Sequence, residues 1–331
     1  MRIYNSLCGG GYAGLPGPGR RRLLAAWLLA ALPGVAAAEP GAVEMPLVQV
    51  GPRSWYVQGQ TALGSAANRN FISNAGFVVT DDSVVVIDAL GSPPLAEQLL
   101  RRIRGVTDKP VRHVLLTHYH ADHVYGLQAF KAVGATVVAQ RQGRDYLASD
   151  TAQRRLEASR QDLFPWIDEA TRLVPADRWL DGDTELRIGG VDFRLRAVGP
   201  SHTPEDMTIH LPSERVLYAG DLVFRGRIPF VGQADSRRWI GALEALLGED
   251  VATLVPGHGP HSEQAAEDLR LTRDYLRHLR ETMGRAAREL EPFDEAYRRV
   301  DWSRYERLPL FQAANRMNAF NTYLLMEQER D

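Results

Sequence analysis

A chain of 331 residues with 44% apolar and 24% charged residues is long enough to bury a large core and too balanced for a disordered or fibrous protein. The formal net charge of −2 includes a leader, residues 1–38, with four arginines and no acid. The remainder is therefore more acidic still, and it carries no nucleic-acid footprint.

That leader has the three parts of a secretory signal: Arg20, Arg21 and Arg22, an apolar run over 23–35 interrupted only by Pro33 and Gly34, and Ala36-Ala37-Ala38 ahead of Glu39. Cleavage is expected after Ala38, with the mature protein periplasmic or secreted. The run is too short to leave a stable membrane anchor. Arg21-Arg22-Leu23-Leu24 keeps the general secretory and twin-arginine routes both open. Cys8, the single cysteine, lies in the leader, so the exported part would have no thiol, no disulfide and no cysteine to ligate a metal.

Past the leader, residues 45–57 and 70–80 read as strand-like runs. Residues 83–87 (Ser-Val-Val-Val-Ile), almost wholly apolar and β-branched ahead of Asp88, suit a strand covered on both faces. Pro93 and Pro94 open a helix that puts Leu95, Leu99, Leu100 and Ile103 on one face. A strand over 111–116 is followed by a helix over 124–132 and a strand over 135–139; residues 141–168 are mostly polar and helical until Phe164-Pro165-Trp166. Short strands with glycine turns follow at 184–188, 191–197, 207–211 and 215–219. From Ser262 onward Leu269, Leu276, Leu279, Met283 and Leu290 recur at helical spacing, and Trp302, Tyr305, Leu308 and Phe311 are expected to tie this helical part to the body. Two halves of mixed strands and helices imply sheet packed on sheet with helices outside. The organisation expected is a signal peptide at 1–38, a catalytic domain at 39–261 and a C-terminal helical extension at 262–331.

The chemistry is concentrated after the strand at 111–116, where Thr117-His118-Tyr119-His120-Ala121-Asp122-His123 packs three histidines and a carboxylate into six residues. Imidazole and carboxylate are ligands that a borderline divalent ion such as zinc prefers, and this density reads as half of a two-metal site. Further donors follow later strands: His202 in Gly-Pro-Ser-His-Thr-Pro, Asp221 in Tyr-Ala-Gly-Asp and His258 in Pro-Gly-His-Gly. His113 and His210 fall within strands as core or sheet-face residues, and His278 falls on the C-terminal helix. His261 has an outer-sphere reading as well as an incidental one. Arg225 and Arg227 read as surface charge, with contact to an anionic substrate as the alternative; Asn68, Arg69 and Asn70 invite the same alternative. Gly220 and Gly257 would let the backbone pass close to the metals.

With His-x-His-x-Asp-His at 118–123, then His202, Asp221 and His258 in this order, and Asp88 after a buried strand, the chain resembles the metallo-β-lactamase superfamily over residues 46–261. The resemblance implies an α/β fold, the αββα four-layer sandwich, with the site at one edge of the two sheets. It implies that His118, His120 and His202 hold one zinc, that Asp122, His123 and His258 hold the second, and that Asp221 bridges them. Asp88 would fix the orientation of a ligand by hydrogen bonding. Two zincs about 3.5–4 Å apart can share a hydroxide and polarise the bond it attacks, so the expected chemistry is hydrolysis with Asp122 and Asp221 as the catalytic carboxylates.

Within the superfamily, the zinc β-lactamases proper lack a bridging aspartate, and two of their three groups place a cysteine on the second zinc. Asp221 and the C-terminal helices resemble glyoxalase II instead, without its glutathione-binding signature. The layout, leader included, is similar to exported metallohydrolases associated with quinoprotein and sulfur-oxidation systems. The expectation is thus a two-zinc hydrolase acting on a small-molecule ester, thioester or lactone, with β-lactam hydrolysis secondary. A different class of reading is a persulfide dioxygenase-like enzyme with one iron on His118, His202 and Asp221. A third makes the protein a metal binder without turnover.

Overall fold

The computed structural model describes residues 43–232 and 234–329. The expected signal peptide at 1–38 lies outside the described residues. Seven strands form one sheet in sequence order: β1 (Leu47–Gln49), β2 (Ser54–Val57), β3 (Ala75–Val79), β4 (Val84–Ile87), β5 (Val111–Leu115), β6 (Thr136–Gln140) and β7 (Arg178–Leu180). Neighbours are antiparallel from β1 to β4 and parallel from β4 to β7. A second sheet has the order β12-β11-β10-β9-β8, from β8 (Thr184–Ile188), β9 (Val191–Ala197), β10 (Met207–Leu211), β11 (Val216–Phe224) and β12 (Thr253–His258). Only β11 and β12 pair parallel in this sheet.

Alternation along the strands assigns each side chain to a layer. In β4, Val85 and Ile87 enter the core between the sheets with Leu115, Val138, Phe193, Leu195, Ile209 and Val255. Val84 and Val86 point the other way, toward α1 (Pro93–Arg104) and α3 (Leu127–Ala132), where Leu95, Leu99, Ile103 and Phe130 meet them. This double coverage is why the run is apolar at every position. On the far side, Leu217 and Ala219 of β11 pack with Trp239 and Leu243 of α6 (Ser236–Leu246) and with Leu269, Leu276, Leu279 and Met283 of α7 (Ala265–Arg288). The result is an αββα sandwich.

The expected helix over 124–132 is in fact two short ones, α2 (Ala121–Val124) and α3, because His123 O accepts from Ala89 N–H (2.7 Å) and Gly126 N–H donates to Leu90 O (3.1 Å), which takes both groups out of the helical ladder. The stretch 45–57 is likewise two strands, β1 and β2, paired antiparallel. Residues 141–168 hold α4 (Gln142–Leu147) and α5 (Asp150–Asp162). After α7 come α8 (Phe293–Arg299) and α9 (Phe311–Gln328). Tyr305 and Phe311 are buried in the same cluster as α7, with Trp302 and Leu308 packed at its edge, as expected. Leu290 is not on that face: it lies beyond the end of α7 at φ +57°, 71% exposed, where it turns the chain out of the helix. No described helix is long and apolar enough to cross a membrane.

Candidate metal centre

The expected donors converge at one edge of the sandwich, at or just past the C-terminal ends of β5, β9 and β12 and within β11, where ligand sites form in sheets of this kind. His118, His120, His202 and Asp221 make one group able to hold a divalent ion, and Asp122, His123 and His258 make another, each with its donor atoms within 4.8 Å of one another. Asp221 lies between the groups. Its Oδ2 is 3.3 Å from His258 Nε2, 3.4 Å from His202 Nε2 and 3.8 Å from His118 Nε2, and its Oδ1 is 3.2 Å from His123 Nε2. Asp221 does not follow β11, as expected, but sits within it, since β12 continues to pair alongside through a bulge at Gly220.

Hydrogen bonds on the outer side of the rings settle which nitrogen faces inward. His123 Nδ1–H donates to Asp88 Oδ2 (2.8 Å) and His258 Nδ1–H to Ile72 O (2.7 Å). Thr117 Oγ1–H also donates to Asp88 Oδ2 (2.8 Å), so it accepts from His118 Nδ1–H at 3.0 Å. All three rings therefore turn Nε2 toward the cluster, the nitrogen a metal ligand would use. His118 Nε2, His123 Nε2 and Asp221 Oδ1 are buried with no hydrogen-bond partner. Unpartnered polar atoms are costly in a protein interior, and a divalent cation is the partner this donor set fits.

Several of these supports were not legible as site residues. Thr117 N–H donates to Asp88 Oδ1 (2.8 Å), which makes Thr117 the junction between Asp88 and His118. Ser73 Oγ–H donates to Asp122 O, while Asn74 Nδ2–H donates to Pro256 O and Gly259 O (both 2.8 Å), clamping the loop around His258. Asp206 accepts from Thr203 N–H (2.8 Å) and folds the His202 loop; neighbouring Glu205 accepts from Tyr119 N–H (3.1 Å) and joins that loop to the histidine motif. Gly257 behaves as expected, because a methyl group there would collide with Asp221 Oδ1. A Cβ at Gly220, φ +54°, would fall 2.6 Å from Thr117 Cβ.

The other histidines stay out of the cluster. His261 Nδ1 accepts from Tyr56 Oη–H (3.1 Å) and its backbone N–H donates back to that oxygen (3.0 Å). His210 faces Glu249 (3.1 Å), His278 packs on Trp302 and Tyr305, and His113 is half-buried within β5. Arg225 is held by Asp268 at 3.0 Å. Arg227, expected on the surface, is 3% exposed: its guanidinium lies over the rings of Phe224 and Phe230, and Nη1 is 3.3 Å from His258 Nδ1. Asn68 and Asn70 bond to Leu63 O and Gly91 O, and Arg69 lies over the Trp166 ring.

Burial pushes His118 and His120 down, His120 to about 3, so both rings are neutral and ready to ligate. Burial also pushes His123 and His258 down, but Asp221 and Asp122 outweigh it for both, and the two rings rise above the usual histidine range. Burial raises Asp122 and Asp221, and His123 and His258 more than reverse that, leaving both carboxylates ionised. In the metal-free centre His123 and His258 thus hold their second proton more tightly than an ordinary histidine, and a cation must displace it. Zinc uptake near pH 7 is expected to release protons and to weaken as pH falls. Titration calorimetry in buffers of different ionisation enthalpy measures this, and identical heats in all of them would contradict it.

The family model of the metallo-beta-lactamase superfamily matches residues 68–258, more than half of the chain and every donor named above. The chain belongs to the metallo-beta-lactamase superfamily. Members of this superfamily are metal-dependent hydrolases, and the relatives include proteins named for a sulfatase and a β-lactamase activity. The chain is 25% identical over 237 residues to a linear primary-alkylsulfatase of Pseudomonas sp., a match over 60% of this chain and 44% of that protein. It is 22% identical over 245 residues to a metallo-beta-lactamase type 2 of Elizabethkingia meningoseptica, covering 72% of this chain and 90% of the relative. Among solved structures, the inverting sec-alkylsulfatase Pisa1 from Pseudomonas sp. superposes with a TM-score of 0.65 at 19% identity, over 85% of this chain and 50% of that one, a likeness of fold. The chain spans about half the length of these alkylsulfatases.

Proposed function

We propose that this metallo-beta-lactamase superfamily protein is an exported hydrolase that binds two zinc ions and cleaves an ester, thioester or lactone bond of a small molecule. The observation that carries this reading is Asp221, one carboxylate with ring nitrogens of both ligand groups 3.2–3.8 Å from it. His118, His120 and His202 would hold one ion and Asp122, His123 and His258 the other. When bound, the pair would supply an ionised water at neutral pH and an electrophile for the bond being cut.

The chain's own groups prepare that chemistry. Buried walls of Phe224 and Trp239 beside His202 keep bulk water from the inner face of the site. Asp122, ionised, with 14% of its side chain accessible and Oδ2 3.3 Å from His258 Nε2, would be the group to accept a proton from an incoming molecule. The secretory pattern of residues 1–38 supports export to the periplasm or beyond.

A complete second group in Asp122, His123 and His258 favours two zincs over the single iron that His118, His202 and Asp221 alone would suit. Protein purified from its native compartment decides between them. About two zincs per chain with turnover of aryl esters, thioesters or lactones is the expected result. One iron with thiol-dependent oxygen uptake would overturn it, as would metal-loaded protein silent on every ester, lactone, β-lactam and alkyl sulfate offered.

A further inference from the structure

The last helix, α9, carries polar groups inward and apolar groups outward, the reverse of an ordinary surface helix. Its inner face holds Asn315, Asn318 and Thr322, all buried and all satisfied. Asn318 Nδ2–H donates to Pro229 O (2.7 Å) while its Oδ1 accepts from Val231 N–H (2.9 Å), Asn315 Oδ1 accepts from Tyr275 Oη–H (2.8 Å), and Thr322 Oγ1–H donates to Asn318 O (2.8 Å). The outer face holds Met317, Phe320 and Leu324, 44%, 42% and 39% exposed, at the i, i+3, i+7 spacing of a single stripe. Three of the eight large apolar side chains exposed among the described residues thus stand on one helix. Phe293 widens the stripe, its ring 5.0 Å from that of Phe320, and the bond from Tyr323 Oη–H to Glu291 O (2.9 Å) brings the exposed turn at Leu290 against the same helix. Scattered apolar residues on a surface need no explanation, but a contiguous patch marks a place of contact.

Two features make the same patch on a second molecule the occupant that fits. A cavity of about 230 Å³ opens beside Leu324 and Leu325, between α9 and Val231, Gly232 and Ala234 of the segment after β11. A cavity of about 150 Å³ already admits a benzene ring, so this one has room for an aromatic side chain. Phe320 is the exposed aromatic one turn away. If two α9 helices pair antiparallel about a two-fold axis at position 322, Phe320 of each copy meets Leu324 of the other and reaches the cavity beside it. The charges place nearly the same axis independently. Arg316 and Glu327 lie on one flank of the stripe, about three turns apart, and they oppose each other across the pair when the axis passes between 321 and 322. An antiparallel copy therefore sets opposite charges together, and a parallel one sets like charges together.

We propose that the protein forms a two-fold dimer by antiparallel packing of α9 on α9 of a second copy, with Phe320 of each seated against Leu324 of the other. None of these side chains is a metal donor, and the inference stands apart from the hydrolase reading.

Sedimentation velocity of the purified protein tests it. Wild type is expected to sediment as a dimer and Phe320→Asp as a monomer with unchanged circular dichroism. Arg316→Glu is expected to weaken the dimer about tenfold, since it sets like charges opposite each other twice across the axis, and Glu327→Arg is expected to do the same. The two changes together should recover wild-type association. That rescue separates the interface from the interior, because Arg316→Glu also breaks the ion pair with Asp294 and the second change does not mend it. Should Phe320→Asp not fold, Leu324→Gln is the milder substitution and is expected to shift the equilibrium the same way. A wild-type monomer at every concentration, including one whose stripe is covered by the apolar run at 23–35, would overturn the inference. So would a folded Phe320→Asp dimer, or a double variant that associates no better than either single one.

Discussion

Asp221→Ala is expected to empty the centre of metal and to abolish hydrolysis, an effect larger than the roughly 10–100-fold losses typical of changes one shell further out. The reason is electrostatic as much as geometric. Four imidazoles from both ligand groups approach this one carboxylate at 3.2–3.8 Å, and it lies fully inside the protein. Without it, His123 and His258 keep only weaker anionic neighbours, and two cations placed in the site would face each other with no charge between them. Asp221→Asn separates the causes, because it keeps the shape and removes the charge; it too should lose metal. Metal analysis of folded protein, with secondary structure verified by circular dichroism, reads the result. A variant that retains both metal and activity would contradict the central role of Asp221.

Asp88→Asn is expected to lower zinc affinity about 10–100-fold while leaving the fold intact. The substitution is nearly isosteric, and position 88, at φ +59°, has a left-handed backbone that asparagine tolerates well. What changes is one oxygen. Asp88 Oδ2 now accepts from both His123 Nδ1–H and Thr117 Oγ1–H, and an amide NH2 in its place can accept from neither. Should the amide turn the other way, Thr117 N–H would lose its acceptor instead. With the NH2 facing it, His123 would favour the tautomer with its proton on Nε2, the atom that must face the cation. Competition with a chromophoric chelator measures the loss. Unchanged affinity would show that the tautomer is held by something other than Asp88.

The fold was legible where side chains answer to a simple period. The run Val84–Ile87 announced a strand covered on both faces because each of its residues enters one of two cores. The seven donors were legible because they cluster in short motifs that follow or interrupt strands and the residue types are chemically narrow. What escaped notice depends on partners remote in sequence. Thr117 is an ordinary threonine until Asp88, 29 residues away, accepts its hydroxyl. The carbonyl of Ile72 that orients His258 has no side-chain signature at all. Arg227 read as solvated charge, and the structure buries it because Phe224 and Phe230 supply aromatic faces that compensate a guanidinium. Asn318 was one polar residue in an amphipathic helix, and its meaning lies in backbone atoms of Pro229 and Val231, 89 and 87 residues away. The split of the expected helix at Gly126 follows from its backbone bonds to Ala89 and Leu90, which no local pattern contains.

The most direct measurement is anomalous X-ray diffraction at the zinc edge from crystals of the zinc-loaded protein. The account predicts two peaks, one among His118, His120 and His202 and the other among Asp122, His123 and His258, with Asp221 between them. A single peak, or peaks on other side chains, would contradict it.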